Sequence, residues 1–354
     1  MPCSHLPPAD APDALRVDDA HLTETVLLLA RGIAADLGFD RLPILADALE
    51  DAGCDNSALL NHLRHEPEHR VECWALRRLL RTTLLLPGGV PITFAYCPPG
   101  TFLMGSPESE AERYDDEMQH AVRLTRGFYC GFAPVTQAQW RAVMETDPNY
   151  SKGYLEVIDV DGGRRTVMGT DPSYFEGDDR PVEQVSWYDA QTFCARLRDL
   201  TGTVARLPTE AEWEYACRGG TNTPFYWGSE LNGTEANCGN YPHGVKPYGT
   251  VVEGPYLGET TVVGRYSEAY PHPWGMVDFH GNVWEWCDDW FNENYSSFCP
   301  QVDPKCRYPN QWGRRVLRGG SWYTFPDGCR AAVRIAENPE RRCDSTGFRV
   351  VFTA

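Results

Sequence analysis

Thirteen Cys, nine His and fifty Asp and Glu residues give this 354-residue chain material for metal or nucleophile chemistry, so spacing decides what they could do. Cys329 and Cys343, fourteen residues apart, are two of thirteen scattered thiols. No two Cys have Cys-x-x-Cys spacing. His62, His65 and His69 fall at i, i+3 and i+7 and could face a metal from one helix, but Pro67 interrupts that helix. His243, His272 and His280 are too far apart to read as a zinc set. Asp115-Asp116-Glu117 and Asp288-Asp289 read as solvated loop charges rather than metal ligands or acids. Arg318, Arg330, Arg334 and Arg349 read as buried structural cations held by Glu285 or main-chain carbonyls.

The elements that must position these residues fall into two parts. Residues 1–87 read as a helical segment. Asp18 or Asp19 caps a helix that runs to Leu37, with Gly38 following it. Pro43 opens a second helix, Asp55 or Asn56 caps a third, and Val71, Trp74, Leu76, Leu79 and Leu80 pattern a fourth. Pro87-Gly88-Gly89 is a turn or linker. Residues 90–354 change to Trp, Tyr, Gly and Pro with short strands. Ile92–Tyr96 and Thr101–Met104 read as a hairpin, and residues 122–129 as another strand. Helices begin at Thr136, Ser186 and Thr209, each a strong N-cap. Residues 219–278 are mostly irregular, and so long a loop is usually functional or held by something other than a ladder.

The formal charge of −18 argues against nucleic acid and anionic membrane surfaces as partners. No apolar run is long enough to span a membrane. An odd Cys count without a readable export signal points to reduced thiols and a cytoplasmic location.

Six ordered blocks carry a resemblance: Pro134-Val135-Thr136 with Trp140, Pro181–Trp187, Arg206–Ala216, Gly281–Trp286, Arg318–Trp322 and Gly347–Val351. Over residues 90–354 the chain resembles the formylglycine-generating-enzyme, or sulfatase-modifying-factor, domain family. The resemblance implies an α+β, C-type-lectin-like fold with much irregular structure, here preceded by a small helical segment. It also implies an oxidase that uses copper bound by two Cys five residues apart, shortly after the Gly-Gly-Ser block. Here only Cys329 follows that block closely, with Arg330-Ala331-Ala332 placing it beyond the copper pair. The oxidase alternative therefore needs a displaced pair, Cys329 with Cys343. A branch that uses non-haem iron needs a His-x₃-His-x-Glu motif, which is missing from residues 1–87. Calcium is the other cofactor the family implies, at Asn282 and Glu285, with Asn237 in a second site. The competing reading has Asn282 capping a turn and Glu285 paired with an Arg.

The C-terminal segment also resembles the variable proteins of diversity-generating retroelements, in which a fixed frame surrounds positions rewritten at adenines. The frame corresponds to Arg318–Trp322, Pro326, Cys329, Arg330, Arg334, Pro339 and Gly347–Val351. Between its parts lie Tyr323, Thr324, Phe325, Asp327, Val333, Ile335, Arg342 and Asp344, an aperiodic mixture that suits an exposed binding surface. Trp322, Tyr323 and Phe325 are the expected aromatic anchors for a protein or small-molecule ligand. The leading expectation is a ligand-binding module without copper chemistry, and the rival is an oxidase acting on protein Cys.

Overall fold

A computed structural model describes residues 18–66, 69, 73–147, 150, 153–158, 162–239 and 244–354. Pro67, Val71 and His243 lie outside the described residues. The chain opens with four helices, α1 (Glu24–Asp36), α2 (Leu42–Asp51), α3 (Ser57–His65) and α4 (Trp74–Leu79). Thr23, rather than Asp18 or Asp19, caps α1, because the chain first makes a short 3-10 turn at Asp19–His21. Leu37, rather than Gly38, takes the left-handed conformation that ends α1. Asn56 caps α3, its side chain accepting from Leu59 N–H.

The helices do not stand apart. After α4 comes β1 (Arg81–Leu85), a strand within the segment read as helical. It pairs with β2 (Pro91–Cys97) across the Pro87–Gly89 turn, so the first sheet begins inside the N-terminal segment. β3 (Gly100–Met104) pairs with β4 (His120–Leu124), and β2 pairs with β5 (Phe128–Gly131). The expected hairpin of β2 with β3 is therefore absent: Cys97-Pro98-Pro99-Gly100 carries the chain from one sheet to another. β12 (Val351–Thr353), at the chain's end, completes the order β1-β2-β5-β12. Residues of α1–α4 share one apolar core with Phe94, Tyr129, Trp140, Phe193 and Phe348. Polar clamps add to it, Arg31 donating to Tyr129 and Arg81 to the Gly275 carbonyl.

Three helices carry the middle of the chain: α5 (Gln137–Met144), α6 (Trp187–Thr201) and α7 (Glu210–Arg218). Each has a complete capping box, at Thr136/Gln139, Ser186/Asp189 and Thr209/Glu212. Trp140 of α5 stacks on Phe193 of α6, with Phe348 set edge-on to both. The small pair β6 (Tyr154–Ile158) and β7 (Arg164–Met168) follows α5. The second four-stranded sheet runs in the order β10-β9-β8-β11, with β8 (Trp284–Trp290), β9 (Arg315–Arg318), β10 (Arg334–Glu337) and β11 (Thr346–Gly347). The described residues of 219–278 have no named strand or helix, as their composition suggested.

Side chains add to isolated backbone bridges, such as Leu231 with Tyr248, in holding that long loop. His272 Nε2 faces the Cys217 carbonyl while its Nδ1 faces the Trp274 amide. His280 Nδ1 faces the Cys329 carbonyl while its Nε2 faces the Tyr226 amide. Each pairing requires a neutral ring, and burial lowers both pKa values to about 3. Unfolded histidine titrates near 6.5, so both rings favour folding fully above that pH and lose their contribution as pH falls toward 3. Urea unfolding should show stability falling between pH 6.5 and 4 by roughly 1.4 kcal/mol per pH unit for each histidine. His280→Gln should flatten that slope.

Candidate functional site

The frame around the C-terminal segment is a set of buried ion pairs. Arg318, at the end of β9, binds Glu210 and Glu214 of α7 and the carbonyls of Ala331 and Ala332. Arg334 of β10 holds both oxygens of Glu210 at 2.7 Å. Arg330 grips both oxygens of Glu117 at 2.8 Å and also reaches Glu110. Arg349 holds both oxygens of Glu285, at 2.6 and 2.7 Å. All four Arg are buried, and their attachment to β9, β10 and the C-terminal stretch fixes the segment between them. Glu117 and Asp289 are buried as well, which corrects their reading as solvated charges. The Asp289 carboxylate accepts from the amides of Glu210 and Cys306.

Within this frame, Gly320 turns the chain at φ 77°, where a Cβ would meet Cys329 Sγ at 2.3 Å. Trp322 follows, its amide bonded to the Asn282 carbonyl and its indole N–H to the Asp344 carbonyl. Its ring meets Phe175 and Tyr323 edge-on at 5.1 and 5.2 Å, and Phe175 meets Tyr174 at 4.8 Å. Glu183 steadies this aromatic shelf by accepting from the Tyr174 and Phe175 amides. Tyr174 is exposed and Phe175 half-buried. Sequence reasoning missed both. Two adjacent aromatics in a polar loop just before Pro181–Trp187 were the available signal.

The expected ligand-binding residues divide by burial. Tyr323, Thr324, Phe325, Asp327 and Ile335 are half-buried and keep part of their surface in solvent. Trp322, Val333 and Asp344 are buried, which corrects their place on an open surface: Val333 belongs to the main core, and Trp322 is pinned from both sides. Arg342 is committed to Asp189, with contacts of 2.6 and 3.0 Å. Asp189 also accepts from Ser186 and Tyr150. Burial alone would raise the Asp189 pKa, but the Arg342 guanidinium outweighs it and holds the carboxyl below its usual range.

The two candidate thiols have separate surroundings. Cys329 is enclosed with Cys238, Phe225 and Tyr248. Burial first, and the Cys238 thiol second, push its pKa well up, so it stays protonated. Cys343 lies against Asp344 and Ser345, and burial raises its pKa too. A copper ion needs a reachable pair of thiolates, and these residues do not fit one.

Calcium meets a similar obstacle. Glu285 is neutralised by Arg349 and accepts the Trp213 indole N–H at 2.7 Å. The Asn282 side-chain carbonyl accepts from the Thr261 and Asn237 N–H groups, and its amide donates to Thr261 and Asp278. Asn282 has φ 65°, a left-handed conformation that Asn tolerates, so it shapes the turn before β8. Glu285 and Asn282 therefore do not fit a calcium pair. Asn237 does keep a buried carbonyl oxygen without a partner.

Comparison with known proteins places this geometry. Residues 92–354 match the family described as the sulfatase-modifying factor enzyme 1-like domain. The chain belongs to that family. The formylglycine-generating enzyme of Streptomyces coelicolor is 34% identical over 285 residues, which is 71% of this chain and 86% of that protein. The serine/threonine-protein kinase pkn1 of Chlamydia caviae is 31% identical over 253 residues, 71% of this chain but 36% of the kinase. Among solved structures, PvdO from Pseudomonas aeruginosa aligns with a TM-score of 0.60 and 26% identity, covering 74% of this chain and 94% of its own. Treponema denticola variable protein 1 aligns with a TM-score of 0.55 and 23% identity, covering 78% and 99%, a likeness of fold.

Two outcomes test the division into frame and surface. Arg349→Leu should destabilise the domain by about 3–5 kcal/mol, because it strands the buried Glu285 carboxylate. Val333→Asp should prevent cooperative thermal unfolding, whereas Asp327→Ala should change stability by no more than about 0.5 kcal/mol.

Proposed function

We propose that residues 92–354 form a binding module on the sulfatase-modifying-factor fold, taking a protein or small-molecule ligand at the shelf around Tyr174, Phe175 and Tyr323. The observation that carries this reading is the enclosure of Cys329. It is the thiol that follows the Gly-Gly-Ser block, and it lies fully buried against Cys238. An ion held between those two sulfurs would be sealed from dioxygen and from a peptide thiol. The half-buried Tyr323, Thr324, Phe325 and Asp327 beside it sit on a backbone pinned at both ends by buried Arg. Such a rigid frame tolerates changes at these positions, as a diversified variable protein requires.

The kinship with formylglycine-generating enzymes favours the rival reading, an oxidase acting on protein Cys. Copper titration and oxygen uptake with a Cys-containing peptide separate the two. The binding reading expects no tight Cu(I) site in the domain and no peptide-dependent oxygen uptake. Peptide-dependent turnover abolished by Cys329→Ser would overturn it. A near-identical template repeat and a reverse transcriptase beside the gene would support diversification, and their absence would count against it.

We place the protein in the reducing cytoplasm. All the described Cys are free thiols, including Cys299 and Cys306, whose thiols contact each other. No described helix is long and apolar enough to cross a membrane. The charge of −18 disfavours nucleic acid and anionic membrane surfaces as partners.

A further inference from the structure

We infer that His62, His69 and Cys73 form a three-ligand site for a borderline transition-metal ion, best suited to Zn²⁺, within the N-terminal helical unit. His62 lies in the last turn of α3 and Cys73 caps the start of α4. One ligand atom from each of the three residues lies within 4.8 Å of the others. His62 Nε2 is already 3.3 Å from Cys73 Sγ. Tetrahedral zinc, with its usual bond lengths, sets such N and S atoms about 3.3–3.6 Å apart. A closing movement of about 1 Å by the His69 ring completes that geometry.

Three further observations support a ligand there. Both His69 ring nitrogens are buried and have no hydrogen-bond partner. A buried imidazole left so is costly, and a metal bond removes that cost for one nitrogen. His62 Nδ1 lies 4.0 Å from the Glu66 carboxylate, near enough for a small shift to make the hydrogen bond that orients a ligating imidazole. The Trp74 ring packs against His62 at 4.9 Å, and Phe39 lies 6.4 Å from His69, which gives the cluster an apolar wall.

Two imidazoles and a thiolate select zinc over the hard ions calcium and magnesium. Binding would release the Cys73 thiol proton and join α3 to α4 across the intervening link. Three protein ligands leave the fourth tetrahedral position for water or an external group. The sequence pattern His62/His65/His69 on one helix pointed near this site but to the wrong set. His65 instead turns its Nδ1 to the Asn61 carbonyl, and Cys73 takes its place.

Cobalt and zinc titration of the full chain after chelation tests the assignment. One ion per chain, a thiolate-to-cobalt charge-transfer band and a higher Tm with zinc are expected. Cys73→Ser should abolish the band, while Cys54→Ser, which removes another buried thiol of the same unit, should keep it. His69→Gln should weaken zinc binding by at least about tenfold, and Glu66→Gln by about 10–100-fold. His69→Gln removes no hydrogen bond from the fold, so it remains informative if Cys73→Ser misfolds. No thiolate band in the wild-type chain, a band that survives in Cys73→Ser, or unchanged zinc affinity in His69→Gln would each overturn the proposal.

Discussion

The pairing of Arg318 and Arg334 with Glu210 and Glu214 is the interaction on which the domain's shape depends. Glu210 and Glu214 lie one turn apart on α7, so both carboxylates face the same way. Arg318 spans them from β9, and Arg334 reaches Glu210 from β10. Arg218 closes the group from the last turn of α7 through Glu214 and the Gly105 carbonyl. Burying so many charges is costly unless every one is paired. Once paired, they allow few other arrangements of α7, β9 and β10. Glu214 illustrates the balance: burial would raise its pKa, yet Arg218 and Arg318 bring it below the usual carboxylate range. It stays charged, and the network with it.

That constraint explains how a domain with a long stretch whose described residues form no named strand or helix keeps a defined core. In the long loop, backbone groups find side chains as well as isolated backbone partners such as Leu231 with Tyr248. His272 and His280 each bridge two backbone groups, and Asn282 joins Asn237, Thr261 and Asp278. Gly281 lets the chain pass Asn237 closely, since a Cβ there would meet the Asn237 carbonyl oxygen at 2.2 Å. The Gly-, Trp- and Arg-rich blocks are thus the points where loops are tied to the sheets.

Much of this was legible in the sequence because its signals are local. The capping boxes at Thr136, Ser186 and Thr209 mark helix starts within a few residues, and the ordered blocks identify the domain. The buried role of the four Arg was legible from their types and blocks, and Arg349 does pair with Glu285. Strand partners were not legible. β2 and β3 adjoin in sequence yet lie in different sheets, because β2 is claimed by β1 and β5. The polar role of Glu117 was hidden for a similar reason: its partner, Arg330, is 213 residues away. At the candidate site, composition separated frame from filling but could not separate Val333 in the core from the half-buried Asp327. That difference comes from the twist and turns of a short segment that lacks a regular period.

The same long-range pairing bears on chemistry. The oxidase reading requires thiols that an ion and a substrate can reach, whereas here the thiol after the Gly-Gly-Ser block is drawn inward. Gly320 gives Cys329 the room to pack beneath the chain, and Cys238, from the long loop, covers it. Restoring a reactive thiolate at Cys329 would require exposing it or placing a cation beside it, and either change would disturb the enclosure with Phe225 and Tyr248. Residues 323–327 face the opposite requirement. They lie between the buried Arg318 and Arg330, and Tyr323, Phe325 and Asp327 keep part of their surface in solvent. A stretch whose backbone is fixed by buried pairs can take changed side chains without loss of the fold, which separates what holds the architecture from what faces solvent.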